Sequence, residues 1–97
     1  MRPVLHGDVT AAARAMLMVP AEAREGLCRR MIEEADFADR YAKRLGRAHR
    51  DWGNGTLMAA ARVRPLAAEP PLGEDAYCRC LETVFHLLLE WRSTRRR

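Results

Sequence analysis

Strand-forming chemistry is scarce in this 97-residue chain, which has only two Phe and two Tyr and few Val or Ile. Ala, Leu, Arg, Glu and Met dominate, so the composition favours helices and leaves no strands to place. Long apolar runs are also missing. No segment nears the roughly 18 apolar residues of a membrane helix, and residues 1–8 lack the continuous apolar stretch of a signal peptide. A cytoplasmic protein without membrane contact is expected. Cysteine is limited to Cys28, Cys78 and Cys80, an odd number at spacings unlike a small disulfide scaffold, so reduced thiols are expected. Ser93 is the sole serine and lies beside no base in a nucleophile motif, which argues against an enzyme.

Basic residues outnumber acidic ones by 17 to 13, for a formal charge of +4. Arg92, Arg95, Arg96 and Arg97 account for the entire excess, so residues 1–91 are electrically balanced. The high isoelectric point therefore describes a tail, and composition forces no basic face on the body. With hydrophobic residues at 48% and charged residues at 31%, the body has globular composition and enough length for one domain.

Four helices are expected. Asp8 can cap a first helix over about 8–18, in which Val9, Ala12, Ala13, Met16 and Leu17 keep three-four spacing. Pro20 ends it and opens a long second helix, with Leu27, Met31, Ala35, Ala38, Ala42 and Leu45 as its stripe and Gly46 as its stop. Acids early in that helix and Lys43, Arg44 and Arg47 near its end match the macrodipole. Thr56 can cap a short helix over 57–62. Three prolines then make 65–73 an extended connector, and a last helix begins at Glu74 or Asp75. Tyr77, Leu81, Val84, Phe85, Leu88 and either Leu89 or Trp91 form its apolar stripe, which runs to about Trp91. The expected fold is an all-α, bundle-like or orthogonal array over 1–91, centred on the second and last helices, with 92–97 as a basic tail.

The least ordinary stretch is 49–56, where a large aromatic sits among polar side chains and two glycines. His49, Arg50 and Asp51 spell the letters of a kinase catalytic loop, but the chain has no phosphate loop and is too short for two lobes. Two readings remain for Trp52. It can plug one end of the bundle while Asp51 and Asn54 serve turns, or it can be presented with His49, Arg50, Asp51, Asn54, Arg44 and Arg47 as a partner-binding surface. Metal binding is not expected. Cys78 and Cys80 point about 200° apart on a helix, and no paired ligand spacing exists. Arg92, Arg95, Arg96 and Arg97 can contact phosphates together with the basic end of the second helix, or can simply complement the last helix's dipole. Apolar arcs this wide, with Met16, Met18, Met31, Met58, Phe37, Tyr41 and Trp91, also suit a homodimer.

The segments His6-Gly7-Asp8-Val9-Thr10-Ala11-Ala12-Ala13-Arg14, Trp52-Gly53-Asn54-Gly55-Thr56-Leu57-Met58-Ala59-Ala60 and Tyr77-Cys78-Arg79-Cys80 give the whole chain its likeness. It resembles a family of small uncharacterised alphaproteobacterial helical proteins. That resemblance implies a bacterial cytoplasmic protein and lends no activity, cofactor or catalytic residue. The leading expectation is a non-enzymatic protein-interaction or adaptor module without a cofactor. The alternative is an accessory nucleic-acid-binding protein.

Overall fold

Breakers and caps set the boundaries of four helices, α1 (His6–Met16), α2 (Ala21–Leu45), α3 (Leu57–Arg62) and α4 (Asp75–Arg95), in a computed structural model that describes residues 1–95. Pro20 sits at the N-cap of α2, where its missing N–H costs nothing. Gly46 closes α2 with φ 71° and donates its N–H to the Ala42 carbonyl, a left-handed stop that a side chain would strain. Thr56 caps α3, its Oγ1 accepting the Ala59 N–H at 3.1 Å. No strand forms among the described residues; His49 and Gly53 make one isolated antiparallel bridge.

Three helix ends differ from expectation, with α1 also stopping at Met16 rather than near 18. α1 begins at His6, because Asp8 acts from inside the first turn: its Oδ2 accepts the Leu5 N–H at 2.8 Å. Its Oδ1 accepts the Met58 N–H at 2.9 Å, so one buried carboxylate satisfies open amides at the starts of both α1 and α3. α4 continues past Trp91 to Arg95, whose guanidinium stacks over the Trp91 ring and pairs with Asp36 of α2. Side-chain contacts thus hold a turn that composition alone reads as frayed tail. Arg96 and Arg97 lie outside the described residues.

The centre of the array also differs. α1 and α2 each touch all three other helices, and it is α1, packed most extensively on α3 and α4, rather than the pair α2 and α4 that holds the centre. Ala11, Ala12, Ala13 and Ala15 are all buried, and side chains this small let neighbouring backbones approach from several sides. Met16, Met31, Leu57, Tyr77, Val84 and Leu87 fill the space around them. Each fully buried large apolar side chain contributes roughly 1.5–3 kcal/mol. The connector 65–73 runs along α1: Ala67 donates to the Arg14 carbonyl at 3.1 Å, and Arg14 Nε returns a bond to the Ala67 carbonyl at 2.7 Å. Arg24 of α2 closes the other end of α1, with Nε donating to the carbonyls of Met16 and Val19.

α2 buries the expected Leu27, Met31, Ala35 and Ala38, and Cys28 and Ile32 with them, while Leu45 is exposed. It also buries three carboxylates. Glu34 takes a two-pronged bond from Arg64 at 2.9 and 3.1 Å; Asp36 and Asp39 are described below. On α4, Tyr77, Cys80, Val84, Leu87 and Leu88 turn inward, whereas Phe85 and Leu89 of the expected stripe face outward. α1 and α2 cover only one side of an apolar arc wider than their contact. Cys28 and Cys80 are buried and Cys78 is exposed, as the angular offset of positions 78 and 80 requires.

Asp8→Ala removes two charge-assisted bonds to buried amides and is expected to lower unfolding free energy by about 3 kcal/mol in urea titrations. A second expectation concerns alkaline pH. Burial is the main force pushing the Cys28 thiol up to about 12, partly opposed by Arg29. The folded state then holds its proton while the unfolded chain has already released one, so stability is intact below about pH 9 and declines as pH rises through the folded value. Cys80 and Tyr77, also pushed up first by burial, tilt the curve the same way. Cys28→Ala is expected to be less stable at neutral pH and to lose less between pH 8 and pH 11, as read from urea midpoints.

Candidate functional site

The end of α2 gathers the aromatic and cationic side chains that fit a ligand. Phe37 and Tyr41 lie four residues apart and so share one side of the helix. Gly46 reverses the chain, and 49–53 closes on itself: the His49 N–H donates to the Gly53 carbonyl at 2.8 Å and the Gly53 N–H returns a bond at 3.0 Å. Inside this loop His49 Nδ1 accepts the N–H groups of Asp51 and Trp52 at 3.0 and 3.2 Å, which leaves the ring proton of a neutral imidazole to Nε2.

That closure fixes four rings. His49 and Trp52 stack with centroids 4.8 Å apart and planes 8° from parallel. Phe37 meets Trp52 edge-on at 5.5 Å, and Tyr41 meets His49 edge-on at 4.8 Å. Edge-to-face and offset stacking of this kind contribute about 0.5–1.5 kcal/mol per pair beyond area burial. Trp52 is half-buried by these neighbours and Phe37 stays 46% exposed. Trp52 therefore lies over the outer side of α2, partly covered and partly offered to solvent.

The loop after the rings seats directly on helix backbone. Gly55 has φ 96°, and a Cβ there would come within 2.6 Å of Asp39 Cβ and 2.7 Å of its Cα. A side chain is excluded on both conformational and steric grounds. Asn54 is used locally, Oδ1 accepting from Thr56 N–H and Oγ1 at 3.1 and 2.9 Å, so it serves the turn. Arg2 crosses behind and donates its N–H to the Gly55 carbonyl at 3.0 Å.

The same stretch of α2 carries a charge network. The Met1 ammonium reaches Asp36 at 2.8 Å and Asp39 at 3.2 Å, Arg40 reaches Asp36 at 3.4 Å, and Lys43 reaches Asp39 at 3.0 Å. Arg95 also pairs with Asp36. Burial pushes the Asp39 carboxyl up, but Lys43 and the Met1 ammonium outweigh it and hold the group below its ordinary value. Four cations thus serve two carboxylates at one place.

An open groove of about 580 Å³ follows, lined by Phe37, Arg40, Tyr41, Lys43 and Arg44. Phe37 and Tyr41 belong to both features, joining the ring cluster to the groove. Of the residues expected at a partner surface, His49 and Trp52 come together, and Arg44 joins through the groove. Arg47, Arg50 and Asp51 are exposed beside them, and Asn54 turns the chain. Arg40 and Lys43 were not expected there; their signal is the 36/40 and 39/43 spacing, which places an exposed cation one turn after each buried acid. Of the tail cations, Arg92 is exposed and Arg95 is committed to Asp36 and Trp91. No group of three or more His, Cys, Asp or Glu is arranged to hold a metal ion among the described residues. Nor is any described helix long and apolar enough to cross a membrane.

This arrangement can stack on planar groups and donate charge-assisted hydrogen bonds to carboxylates or phosphates. No curated protein and no solved structure matches the chain. A family model covering most of the sequence does match, and on residues 2–88 the chain belongs to the family described as Domain of unknown function (DUF7742).

Proposed function

We propose that this protein is a non-enzymatic interaction module of the bacterial cytoplasm, of the alphaproteobacterial kind its sequence resembles, with no cofactor. It binds an acidic segment of a protein partner at the end of α2. The observation that carries this reading is the groove, with aromatic walls from Phe37 and Tyr41 and cations from Arg40, Lys43 and Arg44. An acidic peptide carrying an aromatic or aliphatic residue complements both features at once. Arg47 and Arg50 extend the positive rim, and Trp52 and His49 brace the Phe37 and Tyr41 rings from the loop side.

Nucleic acid is the weaker reading. Phosphate contacts from the tail would draw on Arg92, Arg95, Arg96 and Arg97, yet Arg95 is turned back onto Asp36. Exposed Arg44, Arg47 and Arg50 remain available to it.

Fluorescence anisotropy with a labelled Glu- and Asp-rich peptide containing one Trp tests the proposal. The peptide is expected to bind at low ionic strength, and Arg40→Glu combined with Arg44→Glu to weaken it by roughly tenfold or more. Trp52→Ala is expected to weaken binding with only a modest loss of melting temperature. A large loss of melting temperature with unchanged peptide affinity would make Trp52 a plug. No peptide binding by the native chain sinks the proposal, and tighter, steeply salt-dependent binding of a single-stranded oligonucleotide transfers the surface to nucleic acid.

A further inference from the structure

α4 carries more apolar surface than its neighbours cover. Tyr77, Cys80, Val84, Leu87 and Leu88 are buried. About a third of a turn away round the helix, Cys78, Leu81, Phe85 and Leu89 recur at three- and four-residue spacing as a second stripe. Phe85 is 55% and Leu89 63% exposed. The exposed Leu5, Met18, Leu45 and Val63 stand singly on separate segments, as scattered surface apolar residues commonly do. Two large apolar side chains one turn apart in the middle of a 21-residue helix form a patch. Met16 and Met31, expected to add to a partner surface, are instead buried within the chain.

We propose that this stripe binds a second copy of the chain, with the two α4 helices antiparallel and Phe85 at the two-fold axis. Charge favours that occupant and that direction. Glu74, Asp75 and Glu82 against Arg79 leave the start of α4 net negative, whereas Arg92, with the ionisable His86, lies beyond its middle. Antiparallel pairing centred on Phe85 sets Leu81 against the second copy's Leu89, Glu82 about half a turn from its His86, and Glu74 about one turn from its Arg92. Parallel pairing would place like charges and helix dipoles side by side. Glu90 runs against the charge pattern, but it is already engaged by Arg29 at 2.6 Å. The interface is isologous and closes on itself, so association stops at two.

α4 is about 31 Å long, and one such helix pair covers less than the ~800 Å² per partner of a standard interface. The dimer is accordingly a weak one whose population rises with concentration. It leaves the groove on α2 untouched, and each dimer would present two grooves.

Sedimentation equilibrium of the reduced full chain, from micromolar to millimolar, is the test. The average mass is expected to climb from 11.0 kDa towards twice that value. Phe85→Glu and Leu89→Glu alter side chains that are exposed in the single chain, so both are expected to keep the helical circular dichroism. Each is expected to raise the dissociation constant at least about tenfold. Glu82→Arg is expected to weaken association, and adding His86→Glu to restore part of it. Orientation has its own readout. Antiparallel pairing keeps the two Cys78 thiols about 21 Å apart along the axis, so mild oxidation gives no disulfide-linked dimer. A monomer at every concentration overturns the proposal and leaves the stripe to a different protein. A dimer indifferent to both Glu substitutions, or one rapidly cross-linked through Cys78, overturns it equally.

Discussion

The carboxylate of Asp8 is the contact on which the layout depends. Helix starts carry amides that no residue within the helix can satisfy, and here two such starts converge on one buried side chain. Leu5 N–H takes Oδ2 and Met58 N–H takes Oδ1, which fixes α3 against the first turn of α1 although 50 residues separate them. Once α3 is held there, the loop that precedes it must reach across α2. Gly55, pressed on Asp39 without room for a Cβ, is the consequence. The ring cluster and groove are therefore built on a polar anchor, with alanine packing around α1 filling in behind it.

A second set of buried acids ties α2 to α4 and to the end of α3, as Asp8 ties α1 to α3. Asp36 and Glu34 bind arginines 59 and 30 residues away. Burying a carboxylate costs several kcal/mol unless it is fully paired, so these acids hold their partners in register or destabilise the fold. Losing one partner leaves the other charge buried and uncompensated. Specific long-range geometry follows from that penalty, in a chain where alanine is the commonest buried apolar residue and offers limited shape information.

Legibility followed the range of the interaction. Pro20, Gly46 and Thr56 act within a few residues of themselves, and the limits of α2 and α3 were readable to within a residue. The width of the α4 arc was also readable, because it is a property of spacing. Which edge of that arc meets α1 was not, since periodicity measures apolar width and says nothing of how many neighbours arrive. Phe85 and Leu89 turned outward for that reason, and Cys80 and Leu87 inward. The acids of α2 show the same limit. Placement in the first two thirds of the helix fits the macrodipole equally well whether they point to water or, as Glu34 and Asp36 do, inward, and the later Asp39 is buried too. At the site, Trp52 announced itself as a large aromatic beside glycines with His49 among its polar neighbours, whereas Arg40 and Lys43 look like ordinary surface cations until the fold puts a groove beside them.

Charge balance over residues 1–91 turns out to be a poor guide to local potential. Asp36 and Asp39 draw in the Met1 ammonium, Arg40, Lys43 and Arg95, two carboxylates against four cations. The surplus is displayed on the outer face of α2, where the acids themselves are buried and the heads of Arg40 and Lys43 are exposed. Arg44, Arg47 and Arg50 extend it beyond the helix end. Burying the anions while exposing their counter-ions converts a neutral body into one with a positive end, and field from that end falls off within about 8–10 Å at physiological salt. An acidic partner of the kind proposed would accordingly be selected at contact range, where the flat faces of Phe37 and Tyr41 can discriminate among ligands that charge alone would accept equally.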